Sequence, residues 1–379
     1  MTPHDLSANF ETLAEAPNGI QRLRELVLEL AVRGKLVEQE STEKVAWEFL
    51  QGLELQRYRG TRSQSLNPQI PVLAPKDEPY PIPPSWIWTQ FEFTHVNRDS
   101  ERIPLSREVR SGRGGPYDYY GASGVIDNID GYLFGKPMLL IGEDGANLVL
   151  RSTPVAFLAS GKYWVNNHAH VLDSPSEISL RFLAIFINQL DLKPYLTGTA
   201  QPKLNQSKMN SIPCPFPPLA EQARIVARVD ELMALLDRLE AKRQNREADR
   251  TAARDSALAA LREALTPEDV ETAWLRIQER FHELFAAPED VEPLRQAVLS
   301  LAGEGRLVPQ DSREDSAFDL LNQIERAHQA RTKRGVTHLK NSISSHEPLG
   351  ESGVLPQGWA WASIEQCCEV VGGIQKTAA

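Results

Sequence analysis

The stretch IPCPFPPLAEQARIVARVDELMALLDRL, from Ile212 to Leu239, turns a proline-rich hinge into a long amphipathic helix. Pro213, Pro215, Pro217 and Pro218 lack an amide hydrogen and clash with a preceding helical turn, so the helix is expected to start at about Leu219. Beyond it Ile225, Val229, Leu232, Leu236 and Leu239 recur at spacings of four and three, the heptad seam of a helix that packs on another helix, in this chain or in a partner. The same positions then carry Arg243, Arg246 and Arg250, followed by Ala253, Ala257, Ala260 and Ala264, before Pro267 ends the run. Taken alone, such a run also fits an ordinary bundle helix, so its surroundings decide.

Those surroundings repeat. LRELVLELAVRGKLVEQ, Leu23 to Gln39, returns as LRQAVLSLAGEGRLVPQ, Leu294 to Gln310, identical at 10 of 17 positions with an offset of 271 residues. At that offset Phe10, Leu13, Ala16 and Pro17 recur as Phe281, Leu284, Ala287 and Pro288, and Ser41, Glu43, Ala46 and Leu50 as Ser312, Glu314, Ala317 and Leu321. PPSWIW at Pro83 to Trp88 is echoed by LPQGWAW at Leu355 to Trp361, offset by 273. The repeated unit therefore reads helical block, polar linker, Trp-x-Trp opening, globular domain, hinge, long helix. The divisions expected are a helical block at 1–60, a linker at 61–82, a globular domain at 83–215, a long helix at 216–266, a second block at 267–335, a linker at 336–354 and the start of a second domain at 355–379.

Composition narrows the class. With 379 residues, 41% hydrophobic and 24% charged, the chain suits two or three globular domains. No run approaches 18 apolar residues and MTPHDLSANF has no secretory pattern, which makes the cytoplasm the default expectation. Cys214, Cys367 and Cys368 have no metal-ligand spacing. A net charge of -10 argues against a nucleic-acid binder, yet the 83–215 segment holds 12 Lys plus Arg against 12 Asp plus Glu, and a neutral segment can carry a local basic groove.

Within that segment, Gly124 to Leu150 places β-rich runs between Asp130-Gly131 and Asp144-Gly145, the grammar of hairpins, and Leu180 to Leu192 reads as a buried helix. The expected fold class is α+β, a compact domain of roughly 130 residues flanked by helical blocks.

The Trp-x-Trp opening, GEDGAN at Gly142 to Asn147, VNNHAHVL at Val165 to Leu172 and IPCPFPPLAEQARIVARVDEL at the hinge together resemble the specificity subunit of type I restriction-modification systems. That resemblance covers essentially the whole chain, and the hinge is its most specific motif. It implies a reader of split DNA targets with two recognition domains and two long helices. It also implies two modification subunits that bind S-adenosylmethionine and methylate adenine, with restriction and motor subunits joining through the complex. No catalytic residue, metal or cofactor is expected in this chain. The sequence departs from that layout, because the second recognition domain stops about twenty residues after its tryptophans. Truncation is the favoured explanation, and a half-size subunit pairing with a second copy or another half-subunit is the alternative. A helix of about 45 residues spans roughly 65 Å, the scale of about two DNA turns, which suits a ruler between half-sites.

Base edges are read best by Arg, Lys, Asn and Gln, and phosphates are held by cations and small polar groups. Arg107, Arg110 and Arg113 form a glycine-rich basic loop ahead of Tyr119, either a DNA contact or a solvated loop. Ser123 and Asn147 resemble family positions near DNA, although turn geometry is the simpler account of Asp144, Gly145 and Asn147. Lys162, Asn166, Asn167 and His168 make a polar cluster. His168 and His170 could be a metal pair, and a hydrogen-bonded structural histidine is the preferred reading. Thr199, Gln201, Lys203, Asn205 and Lys208 read as a contact segment ahead of the hinge. Two readings of other classes remain: a metal-dependent nuclease built on Glu143, Asp144 and a lysine such as Lys162, and a helical assembly scaffold that binds no DNA.

Overall fold

The computed structural model describes residues 3–40, 46–58, 70–198, 201–332 and 355–368. Thr199, the linker positions 59–69 and 333–354, and the apolar Val370, Val371 and Ile374 lie outside those residues. The chain divides into two units, 1–242 and 243–379.

The first unit opens with α1 (Pro3–Glu15), α2 (Gly19–Val32) and α3 (Trp47–Tyr58). It continues through β1 (Ile87–Gln90), β2 (Val96–Asn97), α4 (Arg107–Ser111), β3 (Gly114–Gly121), β4 (Gly124–Ile129) and β5 (Met138–Gly142). Next come α5 (Asn147–Leu150), β6 (Ala156–Ala159), β7 (Tyr163–Val165), β8 (Ala169–Asp173) and α6 (Glu177–Gln189). α7 (Gln206–Asn210) and β9 (Pro213–Phe216) lead into α8 (Leu219–Glu263). The expected helix start is thus observed, and α8 runs for 45 residues, about 67 Å at 1.5 Å per residue.

The proline hinge is a strand. β9 pairs antiparallel with β1, with Ile87 opposite Phe216 and Gln90 opposite Pro213. The two stretches that bracket the domain in sequence are therefore neighbours in space. Two prolines are tolerated because the sheet has only these two strands, and a proline needs no ladder partner on its outer side. The hydrogen bond from the Phe91 amide to the Ile212 carbonyl, 2.8 Å, continues the zip.

The domain enclosed by that zip holds a four-stranded antiparallel sheet, β2-β8-β5-β6, and a three-stranded sheet, β4-β3-β7, in which β3 pairs antiparallel with β4 and parallel with β7. Asp130-Gly131 does not turn a hairpin as the sequence suggested. It carries the chain from one sheet to the other, and the hairpin proper is β3–β4, closed at Ala122-Ser123. Asp144-Gly145 leads into α5 before the chain returns in β6. One core gathers Tyr163, Val165 and Phe134 with Met138, Leu140 and Val171, so the two sheets pack face to face. A smaller one, Tyr119, Ile129 and Trp164 with Leu105, lies on the other face of the small sheet.

The heptad seam finds its partners within the same unit. α2 buries Leu23, Val27 and Leu30, again at spacings of four and three, and these share one core with Leu180, Leu183 and Ile187 of α6 and with Ile225, Val229, Leu232 and Leu236 of α8. Each fully buried residue of this kind contributes roughly 1.5–3 kcal/mol. Arg24 of α2 reaches Asp237 at 2.7 Å and Glu240 at 2.9 Å, and Arg181 of α6 reaches Asp230 at 2.6 Å. Ile225, Val229, Leu232 and Leu236 were expected at a helix or subunit interface; they share their core with α2 and α6 of the same unit. Leu239 is partly buried against the same core. Further along α8, residues 240–249 are exposed on every face.

The second unit comprises the rest of α8 with α9 (Pro267–Glu279), α10 (Phe281–Leu284), α11 (Val291–Gly303), α12 (Ala317–Thr332) and α13 (Ile364–Cys367). Leu258 and Leu261 pack with Ala273, Ile277, Leu284, Phe285, Leu294, Ala297 and Leu301. Asp290 is buried and accepts from Arg250 and from Arg254, so at Arg250 the seam meets a carboxylate rather than an apolar helix.

The sequence repeat is also a repeat of backbone detail. α2 and α11 both end in a left-handed glycine, Gly34 at φ 64° and Gly305 at φ 67°. Each is followed by an amide that reaches back to the helix, Lys35 to Leu30 and Arg306 to Leu301, both 2.9 Å. A Cβ on Gly34 would lie 2.4 Å from Pro83, and one on Gly305 would lie 2.7 Å from Pro356. The tryptophans that follow, Trp86 and Trp359, close over the same glycines. Trp86 is buried, whereas Trp359 is 40% exposed.

Candidate nucleic-acid interface

Four segments converge where β5 ends and β8 begins. Gly142 pairs with Ala169, and Gly142 lies so close to the β3–β4 turn that a Cβ there would meet the Ala122 carbonyl at 2.6 Å. The Glu143 amide donates to the His168 carbonyl at 2.8 Å, the Leu204 amide to the Glu143 carbonyl at 2.8 Å, and the Gly145 amide to the Pro202 carbonyl at 3.1 Å. The Asn166 amide donates to the Tyr120 carbonyl at 3.1 Å. These bonds place Ser123, the 143–147 turn, Asn166 to His168, and Gln201 to Lys203 on one rim. Ser123, Asn167, His168, Gln201 and Lys203 are exposed there.

Other expected contact residues on this rim serve its construction. Asn166 is buried, and its side-chain oxygen accepts from the His168 amide at 2.8 Å. Asn147 accepts from the Ser152 hydroxyl and the Thr153 amide and donates to the Thr153 carbonyl, so it closes the loop after the Asp144-Gly145 turn. Asn205 caps α7, accepting from the Lys208 amide at 2.9 Å, while the Lys208 side chain is exposed.

The basic loop is a different structure at a different place. Arg107 to Ser111 form α4 with Ser106 as its cap, and the strand of chain from Leu105 to Arg113 straps the outer face of the small sheet. Arg110 donates to Asp127 and to the Leu105 carbonyl and stacks on Tyr119 at 4.8 Å. Arg113 pairs with Asp130 and lies 5.1 Å from the Trp164 ring. Tyr119 is fully buried, with its hydroxyl accepting from the Leu105 amide. Arg110, Arg113 and Tyr119 were expected to read DNA from a glycine-rich loop. Ion pairing and ring stacking hold both arginines on the strap, and Tyr119 has no surface to offer. Arg107 is exposed, and Lys162, also exposed, lies over the Tyr132 ring at 4.8 Å, away from the rim.

Beneath the rim lies a group that sequence spacing did not reveal. His170 is buried, with Nδ1 2.6 Å from Asp99 and Nε2 2.8 Å from the Leu204 carbonyl. Each ring nitrogen thus faces an oxygen. Arg102 lies 3.5 Å from Asp99, donates to Glu143 at 3.0 Å and to the Ala169 carbonyl at 2.6 Å, and Lys203 reaches Glu143 at 3.1 Å. Burial by itself would raise the Asp99 pKa, but the His170 hydrogen bond and charge, the Val171 amide and Arg102 together hold it below the usual carboxylate range. For Glu143 burial likewise pushes upward, and the charge of His170 with the bonds from Arg102 and Lys203 brings it below its ordinary value. Asp99 and Arg102 stand some seventy residues from His170, so only the folded chain shows them as its partners.

This geometry answers the nuclease reading. The Glu143 carboxylate is held by side-chain cations, and Asp144 is held by His168 Nδ1 at 2.8 Å. Lys162 is engaged elsewhere. Among the described residues no group of three or more His, Cys, Asp or Glu is placed to hold a metal ion. His168 and His170 bond to different aspartates, so they do not form a metal pair.

A family model described as "Type I restriction modification DNA specificity domain" matches residues 98–247, which include the rim, the hinge and about the first two thirds of α8. Over residues 98–247 the chain is thus similar to the type I restriction modification DNA specificity family. The type I restriction enzyme EcoAI specificity subunit of Escherichia coli is 27% identical over 94% of this chain and 63% of its own length. The EcoEI specificity subunit of the same species is 28% identical over 91% of this chain and 61% of its own length. This chain thus spans about six-tenths of the length of those specificity subunits. A putative specificity subunit from Haemophilus influenzae is 35% identical over 36% of this chain and 34% of its own length. Among solved structures, the type I S subunit from M. genitalium overlays with a TM-score of 0.36 at 14% identity, covering 63% of this chain and 54% of that one.

Proposed function

We propose that this chain is a DNA sequence-recognition subunit of a type I restriction-modification complex, reading one half of a split target through the rim around Ser123, Asn167, His168, Gln201 and Lys203. The observation that carries this reading is the convergence of those side chains, from four separate segments, inside the span that matches the specificity family. Their chemistry suits contact with a duplex, since amide and imidazole edges meet bases while ammonium and hydroxyl groups meet phosphates. Asp144 orients the half-exposed His168 ring, and the Glu143 carboxylate is paired with Arg102 and Lys203 rather than presented to a polyanion.

The chain's contribution is recognition, and chemistry comes from its partners: two modification subunits that bind S-adenosylmethionine, with restriction and motor subunits joining through the complex. The specificity-subunit names of its relatives support that division of labour. The site of action on this reading is the cytoplasm, where DNA and modification subunits meet. No helix among the described residues is long and apolar enough to cross a membrane. The polar stretch 240–249 of α8 suits a spacer. The scaffold alternative loses its motive once the rim is assembled.

Methylation mapping of DNA from cells expressing this chain with its modification subunits tests the reading. A split target with two identical inverted halves means two copies assemble; unlike halves mean another chain supplies the second reader. Absence of any modified sequence, with the same modification subunits active beside an intact specificity subunit, refutes it.

A further inference from the structure

Four charged side chains and a histidine form a closed circuit under the rim. His170 bonds Asp99, Asp99 faces Arg102, Arg102 bonds Glu143, and Glu143 bonds Lys203, whose neighbour Leu204 returns to His170 through its carbonyl. Signs alternate along the run from Asp99 through Arg102 and Glu143 to Lys203. His170, Asp99, Arg102 and Glu143 keep side-chain exposures of 1%, 9%, 13% and 13%, so the charges sit largely out of water. Ion pairs buried to this degree recover little more than their desolvation cost, and an apolar plug of the same volume would stabilise the domain as well. What an apolar plug lacks is direction. The circuit fixes two distances at once: that of the 201–205 segment from β8, through His170, and that from the 143–147 turn, through Glu143.

We infer that this circuit positions the 201–205 segment against the 143–147 turn, and that Asp99, Arg102, Glu143 and His170 thereby determine which bases are read without touching DNA. The inference rests on the DNA-recognition reading above and assigns positioning residues to it. Base discrimination depends on hydrogen bonds of 2.7–3.2 Å with narrow angular tolerance. Gln201 and Lys203 are borne on a segment whose backbone is held by Leu204 at both its amide and its carbonyl. His170→Gln keeps a polar side chain but cannot span Asp99 and the Leu204 carbonyl together. Glu143→Gln keeps shape and loses the charge that holds Arg102 and Lys203.

The test uses the full chain assembled with its modification subunits and a pool of duplexes randomised across the target, sequenced after selection by binding. The parent assembly must enrich a defined target; a parent without any base preference refutes the DNA-recognition reading itself. Given that enrichment, His170→Gln and Glu143→Gln each lower selectivity tenfold or more, with the loss centred on the same base positions in both. Arg181→Ala, which removes an exposed pair between α6 and α8, leaves the preference unchanged. Folding is checked by the thermal midpoint of each variant. Where either substitution unfolds at the assay temperature, Arg102→Lys replaces it, since it keeps the cation and gives up the forked contact, and the same positions lose selectivity. Folded variants with the parental base preference, or with losses at unrelated positions, overturn the inference.

Discussion

The twin glycines allow one motif to be weighed in two surroundings. Replacing Gly34 by Ala forces a Cβ-bearing residue to hold φ near 64°, which costs about 1–2 kcal/mol for an L-residue. The new methyl would sit 2.4 Å from Pro83 Cγ and 3.1 Å from Trp86, and Trp86 is locked in the core, so overpacking adds about 1–3 kcal/mol. The sum is about 2–5 kcal/mol. Gly305→Ala carries the same backbone cost at φ 67°, and its methyl meets Pro356 at 2.7 Å and Trp359 at 2.9 Å. There Trp359 is 40% exposed and can swing aside, so the expected cost is nearer the backbone contribution alone, about 1–2 kcal/mol. Native-state hydrogen exchange reads each site separately, through the Lys35 amide bonded to Leu30 and the Arg306 amide bonded to Leu301. Protection at Lys35 should fall some thirtyfold or more in Gly34→Ala, and protection at Arg306 by about tenfold in Gly305→Ala. Equal losses, or a larger one at Arg306, would refute the argument that tryptophan burial sets the difference.

Leu236→Ala removes a fully buried seam residue and should cost about 2–5 kcal/mol, whereas Leu239→Ala, only partly buried, should cost clearly less; thermal melting of both variants checks the order. Asp99 and Glu143 have pKa values held low in the folded state, so their contribution is present above the ordinary carboxylate range and is lost as pH falls through the folded values. The melting midpoint should therefore decline in acid below about pH 4, and Asp99→Asn should lower it at pH 7 while flattening that decline. Arg110→Ala should lower the melting midpoint and leave the salt dependence of DNA binding as it was, because its guanidinium is spent on Asp127, Leu105 and Tyr119. Lys208→Ala should do the reverse, reducing the slope of log affinity against log salt by about 0.9, measured by fluorescence anisotropy on a short duplex.

The long helix, its start after Pro218 and the duplicated helical block were legible because each is written in local chemistry: prolines that forbid a helix and apolar spacings of three and four. The buried helix at Glu177–Gln189 was legible for the same reason. Pairing was not. That the Trp-x-Trp stretch and the proline hinge lie side by side as β1 and β9, 126 residues apart from Ile87 to Pro213, depends on the whole domain between them. Asp130-Gly131 looked like a hairpin turn because Asp-Gly tolerates turn geometry, yet the apolar strand that follows is drawn to the larger sheet. Among the candidate contacts, the exposed Ser123, Asn167, His168, Gln201 and Lys203 were recognisable by type. Arg110 and Arg113 resembled DNA readers for the same reason they make a good strap: guanidinium pairs with carboxylates and stacks on rings as readily as it meets phosphates and bases.

On the DNA-recognition reading proposed above, the pairing of β1 with β9 has a further bearing on how such a chain can change its target. The polypeptide leaves the helical frame at Ile87 and rejoins it at Phe216 within one strand spacing, roughly 5 Å. A segment whose two ends are so close can be exchanged for one of different length and sequence without stretching the flanks. The boundary for such an exchange is a single two-stranded seam, and its conditions are few: Phe91, Phe182 and Phe186 must survive in kind, because they share the core of the frame. On the proposed reading, new recognition can then arise by recombination at the seam, with α2 and α8 continuing to present whatever cassette is installed.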